Sequence, residues 1–172
     1  MTTFTGKRVK LLSPSVDDID IQDIAHALSH LCRFTGHCAR FYSVAEHCWA
    51  ASHLVEREFA LEALLHDAAE AYINDLSRPL KHLPSMSEYL VIEQRFEAAI
   101  AVKLGLPATM SPAVKVTDNR LVVTEARQLL RDHRWTEDLL GYAGWCVEGL
   151  DPRAAKAAFL FRFKELYAQP QV

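Results

Sequence analysis

Glycine and proline are sparse, six and seven in 172 residues, and nowhere gather into a flexible stretch, so no linker between domains is expected. No apolar run approaches the length of a membrane span, and the opening Met1-Thr-Thr-Phe-Thr-Gly-Lys-Arg8 has no signal-peptide core. A cytoplasmic location without membrane association follows as the expectation. Positive charge is not in excess: 19 Lys and Arg against 22 Asp and Glu give a formal net charge of -3. That argues against a nucleic-acid polymer as partner, and any phosphate site must be a local cluster of Arg and Lys. The four cysteines, Cys32, Cys38, Cys48 and Cys146, form no C-x-x-C pair and are expected to be reduced and buried. A zinc site from Cys32, His37, Cys38 and Cys48 would match no finger or ribbon spacing. Repeats and low-complexity tracts are missing as well. With half of the residues hydrophobic, what remains suits one domain over residues 1–172 with a sizeable core.

The pattern that is present is helical. Ile21, Ile24, Ala25, Leu28, Leu31 and Cys32 recur at helical spacing and predict a helix over about 21–32. Residues 33–42, with Gly36, lack periodicity and read as a loop. Ser43-Val-Ala-Glu46 is a capping-box signature opening a helix over about 44–56, and a third helix is predicted over 58–73. Pro79 starts a short helical piece. Ser85-x-x-Glu88 is a second capping box, opening a helix that Gly105 ends. Ser111-Pro112 begins another, to about Leu130, and Asp151-Pro152 caps a last helix over about 152–167. Residues 132–150 read as irregular. Residues 7–12 predict a strand, so the expected fold class is all-α, a helical bundle with a small N-terminal β ribbon.

Within the third helix, His66 and Asp67 stand side by side in the apolar run Ala63-Leu-Leu-His-Asp-Ala-Ala-Glu-Ala-Tyr72. Burying a carboxylate beside an imidazole is costly unless something compensates, and a divalent metal ion compensates both. His47 upstream and Asp118 downstream, each on a predicted helix, complete a two-His, two-Asp set with room for water and a substrate oxygen. Such ligands suit Mn, Co, Ni, Fe or Zn better than calcium. A cation held this way polarises a phosphoryl oxygen and lowers the pKa of bound water. Arg33 and Lys81 are the candidate phosphate-binding cations, with Arg40 and Arg78 as second choices. Glu70, one turn beyond His66, can hold a water on the ion, and Asp75 can position or deprotonate it. His37 lies in the loop beside the expected pocket, whereas His26, His30, His53, His82 and His133 read as structural or exposed. Phe159, Phe161 and Phe163 read as core or a subunit seam, and Trp145 as a packing anchor.

The ordered set His47, His66-Asp67, Asp118 resembles the pattern of the HD-domain metal-dependent phosphohydrolases. Within it, Arg33-Phe34, Ser43-Val-Ala-Glu-His47, His66-Asp-Ala-Ala-Glu70 and Asp75-Leu-x-x-Pro-x-Lys81 are similar to the YfbR-like 5′-deoxynucleotidases, over roughly residues 20–130. The resemblance implies an HD-domain fold, often homodimeric, that removes phosphate from deoxyribonucleoside 5′-monophosphates with one divalent transition metal ion. It implies His47, His66, Asp67 and Asp118 as ligands, Glu70 and Asp75 as the groups that handle the water and the leaving-group proton, and Arg33 and Lys81 as phosphate binders. One position departs: those enzymes carry a Trp after the arginine that crowds the sugar 2′ position, and Phe34 stands here, so deoxyribose selectivity is not carried over with the rest. Two other readings share the same residues. A deoxynucleoside triphosphate triphosphohydrolase needs the same metal and cations, and a non-catalytic nucleotide-binding protein could keep the fold.

Overall fold

The computed structural model describes residues 1–168. The chain forms helices α1 (Ile21–His30), α2 (Val44–Leu54), α3 (Ala60–Leu65), α4 (Glu70–Ile73), α5 (Arg78–Lys81), α6 (Ser87–Leu104), α7 (Pro112–Leu129) and α8 (Pro152–Tyr167). Local chemistry sets several ends. The Asp20 carboxylate accepts from the Gln22 N–H at the start of α1, Ser43 from the Glu46 N–H at the start of α2, and Asp151 from the Ala154 N–H at the start of α8. Gly105, in the left-handed region at φ 71°, ends α6. Helices α1, α2, α3 and α8 enclose the main core, where Ile24, Leu28, Val44, Leu64 and Phe159 are fully buried. Phe96 brings α6 into that core and stacks on Tyr72 at 4.8 Å. Among the described residues, no helix is long and apolar enough to cross a membrane.

Four expectations are corrected. The N-terminal ribbon shrinks to a single antiparallel bridge, Thr2 to Arg8, and the chain already turns at Lys10–Ser13, so residues 7–12 do not continue as a strand. The Ser85–Glu88 box does not form: Pro84–Met86 is a 3-10 turn and α6 starts at Ser87. Glu46 does not reach back to its own helix start; its buried carboxylate accepts the N–H groups of Glu148, Gly149 and Leu150 at 3.0, 2.8 and 2.7 Å, tying the irregular 132–150 segment to α2. Of the cysteines only Cys48 is buried, and Cys146 lies on the surface. Phe159 is core, whereas Phe161 is exposed, and Trp145 packs against Trp49.

The predicted helix over 58–73 is the informative difference, because it divides at His66-Asp67. In a continuous helix the Ala63 carbonyl would accept from the Asp67 N–H; here it accepts from the His66 ring at 2.8 Å. Tighter i to i+3 bonds follow, Ala68 to Leu65, Glu70 to Asp67 and Tyr72 to Ala69, each 3.0 Å. The break turns two adjacent side chains toward one place, which a regular 100° step would not do.

Candidate metal centre

Three segments deliver four donor atoms. His47 Nε2, from the first turn of α2, lies 3.2 Å from His66 Nε2, 3.4 Å from Asp118 Oδ1 on α7 and 3.7 Å from Asp67 Oδ2. His66 Nε2 lies 3.3 Å from Asp67 Oδ2 and 3.9 Å from Asp118 Oδ1. Neighbouring ligand atoms around an ion with bonds of about 2.1 Å stand roughly 3 Å apart, so the His47, His66 and Asp67 atoms have nearly the spacing that an ion would ask for. The protons are accounted for. His66 Nδ1 faces the Ala63 carbonyl and His47 Nδ1 faces Glu125 Oε1 at 2.6 Å; both partners are acceptors, so each Nδ1 carries the hydrogen. Two bare Nε2 atoms and two carboxylates therefore aim electron pairs at one region, and protons or a cation must sit among them. His47, His66 and Asp67 form a group that could hold a metal ion, and Asp118 stands beside it within 4 Å of both imidazoles.

The charges respond to that crowding. Burial disfavours the His66 cation, but Asp67 outweighs it and raises the pKa well above the ordinary value. Burial and Arg33 act the same way on His47, yet Glu125 and Asp118 carry its pKa upward. Burial alone would raise the carboxyls of Asp67 and Asp118; the facing imidazoles and Arg33 hold both far below the usual range.

Behind His47 stands Glu125, fully buried about two turns along α7 from Asp118. Its Oε1 accepts from His47 Nδ1 and from the Tyr42 hydroxyl, each at 2.6 Å, and its Oε2 from Arg33 Nη2 at 3.3 Å. This carboxylate fixes the tautomer and aim of the His47 imidazole. Sequence reading missed it, although the seven-residue step from Asp118 returns to the same side of a helix and would have pointed to it.

A cavity of about 650 Å³ opens over the cluster, with Asp67 and Asp118 on its wall and both imidazoles beneath. Arg33, Phe34, Asp75 and Lys81 line it. Arg33 reaches Asp67 at 3.6 Å, and Lys81 is paired with Glu93 at 2.6 Å. Arg78, His82 and Lys115 also line the cavity, and Lys115 donates to Asp118 Oδ2 at 2.9 Å, leaving Oδ1 toward the imidazoles. Glu70 does not line it. It lies behind, one carboxylate oxygen buried without a hydrogen-bond partner, and burial with Asp67 and Asp75 nearby pushes its pKa up to about 10. Burial likewise raises Asp75. His37 is exposed away from the cavity, and Arg40 is used elsewhere, donating to the Val147 carbonyl.

Backbone strain collects here. Phe34 and Thr35, at φ 52° and 54°, are both left-handed, in a loop closed at its base by Arg33 N–H to Tyr42 O and Val44 N–H to Leu31 O. Asn74, at φ 77° and ψ 157°, swings the chain so that Asp75 returns to the cavity. Such conformations cost of order 1–3 kcal/mol each and persist where the surroundings enforce them, as around binding sites.

No family model matches the chain. It is similar to the uncharacterized protein RCAP_rcc00048 of Rhodobacter capsulatus, 37% identical over 142 residues that cover 73% of this chain and 70% of that protein. It is also similar to the uncharacterized protein YfdR of Escherichia coli (strain K12), 44% identical over 168 residues, 95% of this chain and 93% of the relative. With that identity over nearly the whole of both chains, the protein belongs to the family of YfdR.

Proposed function

We propose that this protein is a metal-dependent phosphohydrolase of the HD-domain type that removes phosphate from nucleoside 5′-monophosphates, and that it works as a homodimer. The observation that carries the reading is the convergence of His47, His66, Asp67 and Asp118, with both Nδ1 protons committed to acceptors behind them. One divalent transition metal ion held there supplies Lewis acidity toward the phosphoryl group and acidifies water. Arg33 and Lys81 meet the phosphate charge from the cavity wall. Each already has a carboxylate partner, which keeps the cation in place before substrate arrives. Asp75, on the same wall, takes the proton of the attacking water as the P–O bond forms and returns it to O5′ as the bond from that oxygen to phosphorus breaks. Glu70 does not line the cavity and takes no direct part in proton transfer to the substrate.

The test is release of inorganic phosphate and nucleoside from deoxynucleoside 5′-monophosphates with Mn or Co added. Asp67→Ala should lose both bound metal and turnover; a folded D67A protein with full activity refutes the assignment. The further cations Arg78 and Lys115 on the cavity wall are what a longer phosphate chain would use, so triphosphates belong in the same panel. Tripolyphosphate as product would make the protein a triphosphohydrolase. Metal and nucleotide binding without any phosphate release would make it a binding protein.

A further inference from the structure

Phosphate chemistry accounts for only one end of the cavity. On α7, Asp118 belongs to the ligand cluster, and one turn later, about 6 Å along the axis, Val122 lines the same space. Leu90 of α6 and Trp135 line it too, so apolar side chains share the cavity with the charged ones.

Trp135 is unusual among the three tryptophans. It is 53% exposed and in no ring contact among the described residues, whereas Trp49 and Trp145 pack together at 6.0 Å in an apolar cluster. Exposure here is not looseness. The adjacent Thr136 is fully buried; its hydroxyl donates to the His133 carbonyl at 2.7 Å and accepts from Arg127 Nε at 3.2 Å, and its carbonyl accepts from Arg127 Nη2. An indole displayed on so firmly tied a turn, at the rim of a cavity, offers a flat apolar face with little ordering left to lose on contact.

We propose that Trp135 is the surface on which the nucleobase of the substrate stacks, with Val122 and Leu90 as the apolar wall beside it. The proposal rests on the nucleotide reading of the metal site and extends it to the base. Every base presents a π face, so a site built on stacking tolerates all of them and ranks them by stacking strength.

Two measurements separate this proposal from the reading beneath it. The first is tryptophan fluorescence of the Mn-loaded protein titrated with a non-hydrolysable 5′-phosphonate analogue of deoxyadenosine. Quenching is expected in the wild type and should vanish in Trp135→Phe, where Trp49 and Trp145 still report; quenching that survives in W135F overturns the proposal. The second is kinetics. Trp135→Ala should raise KM for deoxyadenosine monophosphate roughly 5- to 150-fold with little change in kcat, and W135F should recover most of the loss. Hydrolysis of deoxyribose 5-phosphate, which has no aromatic ring to stack, should show no such dependence on Trp135. Equal losses on both substrates, or an unchanged KM, overturn the proposal while leaving phosphohydrolysis standing. Quenching that depends on Trp135 in a protein that hydrolyses neither substrate would support the base site and sink the phosphohydrolase reading instead.

Discussion

Replacing Glu125 with Gln probes the carboxylate that aims His47. The amide keeps one oxygen, which can still accept from His47 Nδ1 and the Tyr42 hydroxyl, but its NH2 group then faces Arg33 Nη2, donor against donor. The negative charge that raises the basicity of the ligand imidazole is also gone. Partners of this kind are worth 10- to 100-fold in metal affinity, so Mn or Zn binding to E125Q should weaken by about 1.4–2.7 kcal/mol. Glu125→Ala would leave His47, Tyr42 and Arg33 all short of a buried partner, at about 3–5 kcal/mol of stability, a large part of the 5–15 kcal/mol typical of a domain. The milder Gln variant is therefore the one to assay. Competition against a fluorescent chelator gives the Kd, and thermal unfolding of the chelated protein confirms that it folds. Tyr42→Phe is the control: it removes one of the two donors on Oε1 and spares His47, so it should cost about 1 kcal/mol of stability and leave metal affinity within about threefold. A folded E125Q protein with wild-type metal affinity would refute the orienting role.

Two further outcomes are expected. Glu70 has a folded pKa of about 10, above its unfolded value, so the stability it contributes is complete below about pH 4 and is lost as pH rises toward 10. In chelator-treated protein, Glu70→Gln should therefore raise the unfolding temperature increasingly from pH 5 to pH 9; a pH-independent difference would show that the acid is not buried as described. Glu46→Ala strands three backbone N–H groups at residues 148–150 and should cost about 3 kcal/mol, a fall of roughly 6–12 °C in Tm, readable by calorimetry. A change of less than 2 °C would mean that the 148–150 segment does not depend on Glu46.

Periodicity and end signals were enough to place α1, α2, α7 and α8 to within a residue or two, because a capping side chain or an N1 proline acts on its own first turn. The same local chemistry made His47, His66, Asp67 and Asp118 visible as candidates, since polar side chains inside apolar helical runs call for a partner. Helix division at His66-Asp67 was not visible. It follows from a ring nitrogen taking a backbone carbonyl, and helical spacing carries no record of that competition. The left-handed Phe34 and Thr35 were equally hidden, because neither residue type favours that conformation and only the closed loop around them enforces it.

Left to itself, the order of residues dictated a mostly helical chain and nominated the side chains of the candidate metal site, since both depend on near neighbours. Tertiary structure alone decided what stands behind and above them. Glu125 meets His47 across 78 positions, Glu46 reaches the 148–150 backbone across more than a hundred, and Trp135, on the turn that follows α7, comes to the cavity of Arg33. Contacts of that kind are settled by how the helices pack, and a one-dimensional pattern contains the partners but not the pairing.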